Sequence, residues 1–393
     1  MAEVYEFLPI PFKRIFKEKL LMRKTVVFCL TVAFVSFFFS TAFATEWNLY
    51  GSARVATFYS SRDFMDIVAV DGGRTRNNNT IWELQPNSRF GAIATGDLID
   101  ARVEVGVNET NVTARKIYGV WKFADGWRLK IGKDETPILF GLAGQVFNTD
   151  KNLWQVGNAY GGRWGQIAIE GRGFKLAAIS PTSANFIDPT GNVDAVDVEN
   201  VWPKLETSYR YAFADNMSAH IFGGWQNYKY YTRSNDGTMN SGTITSLVFG
   251  AGGDLNFGPV YVKPQFSWYR NGAAAGWLAT NLEGDAQASQ APVIRPGGQV
   301  TDVDTIMAML AVGYSVSERV RFETGGGYLR NKGKEKKNSY YALYLQSVVN
   351  LAPSVYLVPE IGYIDYGKGF VVDGPDPLLG TQWYVGSKWQ IDF

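Results

Sequence analysis

The chain has 393 residues, and 38 Lys and Arg against 37 Asp and Glu give a net charge of +1. This balance excludes the basic surplus typical of nucleic-acid-binding proteins, so we expect no nucleic-acid partner. The single Cys excludes a disulfide framework and a cysteine zinc site, and the single His leaves no histidine cluster for a metal or for catalysis. We therefore expect no cofactor and no enzyme activity.

Residues 1–44 predict an N-terminal extension and a cleaved signal peptide. Basic residues precede an apolar run, 26–39, and Ala42 and Ala44 have the small side chains that a signal-peptidase site requires. A transmembrane anchor is the alternative, but the run is shorter than the ~20 apolar residues that a helical span needs. Cleavage leaves 45–393 as one exported domain.

From Glu46 onward, apolar and polar residues alternate with the period of two that is typical of strands with two different faces. In 98–108, for example, Val103 and Val105 alternate with Arg102 and Glu104. Strands 111–124 and 162–171 alternate poorly, and their faces stay unassigned. The predicted strands are 46–59, 80–95, 98–108, 111–124, 127–136, 162–171, 173–181, 202–214, 216–231, 242–257, 259–271, 303–316, 319–331, 338–352, 354–367 and 381–393.

The connections between these sixteen segments alternate in length. Every second one is a tight turn of one to three residues, and the others are mostly long, at 60–79, 137–161, 182–201, 232–241, 272–302, 332–337 and 368–380. Such sorting is typical of outer-membrane barrels, in which short turns face the periplasm and long loops face outside. The sequence therefore predicts an all-β fold, a 16-stranded antiparallel transmembrane β-barrel. A soluble sandwich is the alternative, but Trp and Tyr lie near strand ends, as they do at membrane interfaces.

The last strand resembles the C-terminal assembly signal of outer-membrane barrels, because Trp389, Ile391 and Phe393 share one apolar face. The opening segment 49–54, Leu-Tyr-Gly-Ser-Ala-Arg, is similar to the first strand of trimeric porins. Over 45–393, the length and layout resemble the Gram-negative general diffusion porins of sixteen strands. Residues 82–91 resemble the homotrimeric porins of sulfate-reducing bacteria.

The resemblance implies further properties. These are an outer-membrane location among lipids and lipopolysaccharide, insertion by the barrel assembly machinery, a homotrimer, and a third loop folded into the lumen. Small residues such as Gly51, Ala53 and Ala92 would let barrel walls approach closely. The third loop, 137–161, is too apolar for a solvated loop, although an outer loop that caps a neighbour is the alternative.

Charged residues on the polar faces of the first five strands, with Asp150 of the third loop, are the expected pore lining. Their basic excess favours a weak anion preference, since a narrow, low-dielectric channel concentrates the field of its wall charges. Ion pairs that only brace the wall are the alternative interpretation. The residues are Arg54, Glu83, Arg89, Arg102, Glu104, Arg128, Lys130 and Asp150.

We therefore expect a passive, water-filled channel for small polar solutes and ions. A substrate-selective porin for sugars or anions and a plugged structural or adhesive barrel are the alternatives. The carboxylates of loop 182–201 match no calcium-binding motif, and a solvated loop is the preferred interpretation. His220 alone supplies no catalytic triad and is expected to be structural.

Overall fold

The computed structural model describes residues 46–65, 74–141, 143–150, 152–153, 156–182, 193–234, 237–277, 291–295, 298–333, 337–368 and 379–393. The predicted signal peptide, 1–44, lies outside these residues. Contacts separate the chain into two units. The first contains 1–46 and 95–97, of which Glu46 and 95–97 are described. The second contains 47–94 and 98–393, and the following description is of that unit.

Sixteen antiparallel strands form one closed sheet, as the alternation of tight turns and long loops predicts. Two of them, β2 and β8, are interrupted by a few residues. The strands are β1 Glu46–Met65, β2 Arg74–Leu84 continuing as Arg89–Thr95, β3 Ile99–Val107, β4 Val112–Ala124, β5 Trp127–Glu135, β6 Arg163–Gly171, β7 Phe174–Ile179, β8 Val193–Glu199 continuing as Lys204–Ala214, β9 Met217–Ser234, β10 Met239–Phe257, β11 Val260–Arg270, β12 Asp304–Ser315, β13 Val320–Lys332, β14 Lys337–Ala352, β15 Val355–Asp365 and β16 Thr381–Asp392.

The first and last strands close the barrel. β1 pairs with β16 in an antiparallel register that runs from Ser52 opposite Asp392 to Asp63 opposite Thr381. Beyond β16, Gly51 and Phe393 exchange two backbone hydrogen bonds, of 2.6 and 3.1 Å. Closure leaves no free sheet edge, and an edge of unpaired backbone groups is not tolerated inside a bilayer.

The two faces of the sheet have opposite chemistry. Large apolar side chains on the outer face are exposed, including Leu49 at 80% and Trp82 at 75%, and the same holds for the apolar face of β16. On the inner face, the carboxylates Glu104 and Glu206 are fully buried. An apolar exterior around a polar interior is the inverse of a soluble protein and is typical of a membrane barrel.

Two predicted loops are shorter than expected. Loop 60–79 is largely a hairpin, because β1 extends to Met65 and pairs with β2 as far as Arg74. Loop 182–201 contains the strand Val193–Glu199, which pairs with β9. Both extensions are rich in polar residues and lack the alternation that reveals a strand with one apolar face. Backbone pairing holds them, and Asp188 of the second loop lies outside the described residues.

Two of the long loops contain short regular elements. Loop 136–162 contains a one-turn helix, α1, Phe147–Asp150. Loop 271–303 contains a 3-10 turn, Gly272–Ala275, and a small hairpin of Val293–Arg295 with Gln299–Thr301. Within the described ranges, no helix is long and apolar enough to span a membrane.

Candidate functional site

Loop 136–162 is attached to inner-face side chains of strands distributed around the barrel. At its tip, the backbone N–H groups of Val146 and Phe147 donate to the carboxylate of Glu360 on β15, at 2.7 and 3.0 Å. The N–H of Gly144 donates to Glu323 on β13 at 2.6 Å. A carboxylate that accepts backbone N–H groups fixes the path of the chain, so two strands determine where this tip lies.

Apolar packing supports the same loop. The ring of Phe147 stacks on Tyr384 of β16 with centroids 3.7 Å apart and meets the edge of Phe58 of β1 at 5.4 Å. Ile138 and Leu153 are buried in the same cluster. These contacts explain the apolar composition of the loop, because its side chains pack against the barrel wall.

Asp150, at the end of α1, brings two cations together. It accepts from Arg54 Nη1 of β1 at 2.6 Å, and Lys388 Nζ of β16 lies 3.3 Å from its other oxygen. Asn87, in the interruption of β2, donates to it at 3.4 Å. One carboxylate therefore faces two cations, and this group has a positive excess of one.

Glu104 on β3 is the centre of a second basic group. Arg102 Nη2 and Arg115 Nε lie 2.9 and 2.8 Å from its carboxylate, Arg89 Nε lies at 4.0 Å, and the hydroxyl of Tyr50 donates at 2.8 Å. Three guanidinium groups around one fully buried carboxylate leave a positive excess of two.

The predicted residues Arg128 and Lys130 belong to a different group of ion pairs that spans β4, β5 and β6 and includes Lys116, 3.1 Å from Asp134. Arg128 pairs with Glu170 at 2.9 Å, and Lys130 pairs with Glu170 and with Asp134 at 2.7 Å each. Glu83 is half-buried on β2, and no ion pair of it occurs within the described part of the chain. The interpretation as bracing ion pairs therefore fits Arg128 and Lys130 better than a field-forming role.

A cavity of about 390 Å³ lies between the loop tip and the wall. It is lined at one end by Glu135 and Arg163, beside the long loops, and at the other by Arg321 and Gln390, beside the short turns. Three of the eight predicted residues line it, namely Arg54, Arg89 and Asp150. The described lining contains two carboxylates, Glu135 and Asp150, and six cations: Arg54, Arg89, Arg115, Arg163, Arg321 and Lys388.

Four of these cations were not predicted: Arg163 lies on the segment 162–171, whose faces stay unassigned, and the other three have two further reasons. Arg115 lies at a β-bulge where the register between β3 and β4 shifts, and both Arg115 and Lys116 are buried on the inner side. A bulge breaks the period of two, which is why the faces of this strand could not be assigned. Arg321 and Lys388 alternate regularly with the apolar Phe322 and Trp389. This period of two in the last strands is the sequence signal that places both cations on the inner face.

A second loop contacts buried side chains of β8. Lys204 of β8 donates to the carbonyl of Ala275 at 3.0 Å, and the indole of Trp277 donates to Glu206 at 2.8 Å. Glu206 also accepts from the N–H of Ile138 at 3.4 Å. The buried side chains of β8 therefore connect loop 271–303 to the start of loop 136–162.

Comparison with solved structures finds outer-membrane proteins. The chain matches the outer membrane channel DcaP of Acinetobacter baumannii with a TM-score of 0.63 and 14% identity, over 90% of this chain and 99% of that one. The match with the anion-selective porin from Comamonas acidovorans has a TM-score of 0.53 and 14% identity, over 89% of this chain and 100% of that one. The match with the outer-membrane expressed OmpT of Vibrio cholerae has a TM-score of 0.51 and 15% identity, over 88% of this chain and 98% of that one.

At these identities the likeness concerns the fold, which is that of the outer-membrane porins. No family model matches the chain, and no curated protein sequence matches it. The narrower resemblance to the porins of sulfate-reducing bacteria stays a prediction. No group of three or more His, Cys, Asp or Glu suited to a metal ion occurs in the ranges that the structure describes.

Proposed function

We propose that the protein is a passive outer-membrane porin, a water-filled channel through which small polar solutes and ions diffuse with a weak preference for anions. The observation that carries this proposal is the basic cavity, which has six cations and two carboxylates in its described lining. Its lining includes Glu135 and Arg163 of β5 and β6 and, from strands elsewhere in the barrel, Arg321 of β13 and Gln390 of β16. Such a cavity is the expected form of a route along the barrel axis.

In this proposal, loop 136–162 crosses the lumen and narrows it. Inner-face residues of β1, β8, β11, β13, β15 and β16 all contact the loop, and a segment outside a closed wall cannot reach strands on all of its sides. The links include Arg54 to Asp150, Gln265 to the N–H of Ala159 at 3.0 Å, and Glu360 to Val146. Loop 271–303 closes part of the remaining lumen through Trp277 and Glu206.

Charge at the narrowing produces the ion preference. Walls of low dielectric concentrate field lines where the channel is narrow, so charges there outweigh charges in wide parts. Arg89 and Arg321 add positive potential beside the Arg54–Asp150–Lys388 group. Salt weakens the preference, because the Debye length falls to ~3 Å at 1 M.

The exposed apolar belt supports an outer-membrane location among lipids and lipopolysaccharide, reached through a cleaved signal peptide and inserted by the barrel assembly machinery. Charged groups on that belt would cost ~2–4 kcal/mol near mid-membrane. We extend the proposal to a homotrimer. Ala53 is exposed and Ala92 partly so, whereas Gly51 is covered by the ring of Phe393 and presents no small surface to a neighbour.

A channel function is favoured over an enzyme and over a plugged barrel. Neither ring nitrogen of His220 has a hydrogen-bond partner among the described residues, so no serine or carboxylate orients it for catalysis. The basic cavity leaves space that a plug would fill. A substrate-selective porin remains the second candidate, distinguished by saturation of the solute flux.

The test is conductance in a planar bilayer. We expect ohmic single-channel steps, with a reversal potential on the anion side under a potassium chloride gradient at low salt. Absence of conductance would show a plugged barrel and overturn the proposal. Cation selectivity at low salt would overturn the proposed anion preference.

A further inference from the structure

A second cavity, of about 830 Å³, lies at the short-turn end of the barrel. Its wall includes the turns around Gly126 and Arg172, and its floor is the start of loop 136–162, at Pro137, Leu139 and Phe140. We refer to it as the basin. Among the described residues, it shares no lining residue with the cavity of about 390 Å³.

The floor of the basin is apolar and contains a buried histidine. His220 of β9 stacks on Phe140 with ring centroids 3.6 Å apart and planes 2° from parallel. His220 is 7% exposed, and neither of its ring nitrogens has a hydrogen-bond partner in the described part of the chain. A buried polar group usually has a partner, and a ligand in the basin would provide one.

Cations surround this floor. The five basic residues in the described lining are Lys122, Arg128, Arg172, Lys175 and Arg210, against three carboxylates. The carboxylate of Glu170 already pairs with Lys130, and Asp254 lies 3.9 Å from Arg210. Lys175 is exposed and forms no ion pair within the residues that the structure describes. The described lining therefore has a positive excess of two beside an apolar floor.

We infer that the basin binds a small monoanion with an apolar body, of the aryl carboxylate class. The carboxylate contacts Lys175 and Arg210 and accepts a hydrogen bond from the ring N–H of His220, which lies opposite Arg210 on the neighbouring strand. The ring of the ligand packs on Leu139 and beside Phe140. Charge attraction and apolar burial act together, so neither a simple anion nor a neutral ring binds as well. The residues that form this site differ from those that line the narrow cavity, and ligand binding there does not require that the barrel conduct.

The test uses 4-fluorobenzoate and ¹⁹F NMR on the purified full-length barrel in detergent. Trifluoroacetate, which has the charge without the ring, and 4-fluorobenzyl alcohol, which has the ring without the charge, are the comparison probes. We expect saturable 4-fluorobenzoate binding, at least fivefold tighter than either comparison probe. Lys175→Gln should weaken it about fivefold, and Lys175→Arg, which keeps the charge, should restore it.

Arg321→Gln is the matched control, because Arg321 lines the other cavity and forms no ion pair in the described ranges, so it should leave 4-fluorobenzoate binding unchanged. Leu139→Ala should weaken 4-fluorobenzoate binding and leave that of trifluoroacetate unaltered. No saturable binding, or equal binding by wild type and Lys175→Gln, would overturn the inference. Loss of binding in Arg321→Gln would place the anion in the other cavity and would equally overturn it. Bilayer conductance of the same preparations tests the channel function independently.

Discussion

Removing two cations from the narrow cavity is expected to shift the ion preference of the channel toward cations. The perturbation is the double variant Arg89→Gln with Arg321→Gln. Arg89 is the most distant guanidinium around Glu104, at 4.0 Å, and that carboxylate keeps Arg102 at 2.9 Å and Arg115 at 2.8 Å. Arg321 forms no ion pair in the ranges described. The variant therefore leaves no buried carboxylate unpaired, and we expect it to fold.

The dimensions of the cavity give the magnitude. A sphere of 390 Å³ has a radius of about 4.5 Å, which places a wall guanidinium about 7 Å from an ion at its centre. Two unit charges at that distance in water interact by about 0.6 kcal/mol, and screening at 0.1 M salt leaves about 0.3 kcal/mol. Removing two charges changes the occupancy of each ion about 2.7-fold in opposite directions, so the anion-to-cation permeability ratio falls about sevenfold.

The assay is the reversal potential across a planar bilayer under a potassium chloride gradient, measured around 0.1 M and around 1 M. At 1 M the Debye length of about 3 Å reduces the expected change in permeability ratio to about 1.5-fold. The control is the double variant Arg128→Gln with Arg210→Gln. It removes the same charge from the inner face, but its two arginines line the basin and not the narrow cavity.

Any of three results would contradict this prediction. The first is a control variant that shifts the reversal potential as much as the test variant does. The others are a test variant that does not shift the reversal potential at 0.1 M, and a shift as large at 1 M as at 0.1 M. The first would show that net inner charge decides selectivity. The others would show that Arg89 and Arg321 lie outside the ion route or act other than through their charge.

Further predictions concern the loop anchor, assembly and oligomeric state. Glu360→Ala leaves the N–H groups of Val146 and Phe147 without their acceptor, at a cost of about 1–3 kcal/mol each. It should give larger and noisier single-channel currents, whereas Glu360→Gln should give currents nearer to those of the wild type. Equal noise in both variants would count against the role of Glu360 as an anchor of the loop. Deleting Phe393 should lower the amount of barrel inserted in the outer membrane, read by cell fractionation, with little effect on the conductance of the channels that do insert. Native mass spectrometry in mild detergent should show a trimer, and a purely monomeric spectrum would argue against it.

The strand pattern could be predicted from the sequence because a membrane barrel imposes its period of two on each segment. The faces predicted for 98–108 and for the last strand are those that the structure shows, with Glu104 buried and Trp389 exposed. The alternating pattern did not predict the strand extensions that lie beyond the apolar part of the barrel. Residues 60–65, 74–79 and 193–199 are rich in polar residues, and cross-strand pairing alone makes them strands.

The candidate site was harder to predict than the fold, since its charge balance depends on pairs between distant strands. Arg128 and Lys130 stood out as cations, but Glu170, which pairs with both, lies on a strand whose faces could not be assigned. Conversely, Lys388 lies 238 positions after Asp150 in the sequence, and only the closed barrel brings the two together.

The anchors of loop 136–162 have a consequence for the order of assembly. The loop belongs to the first half of the chain, whereas Glu323, Glu360 and Tyr384, which hold its tip, belong to the last four strands. Until those strands are present, Phe147 and its apolar neighbours lack their packing partners and are exposed to aggregation. The long sequence separation of these contacts also slows folding, because loop-closure entropy is lost before they form. Loop 136–162 is therefore expected to be among the last parts of the protein to reach its native structure, at the step at which β16 joins β1.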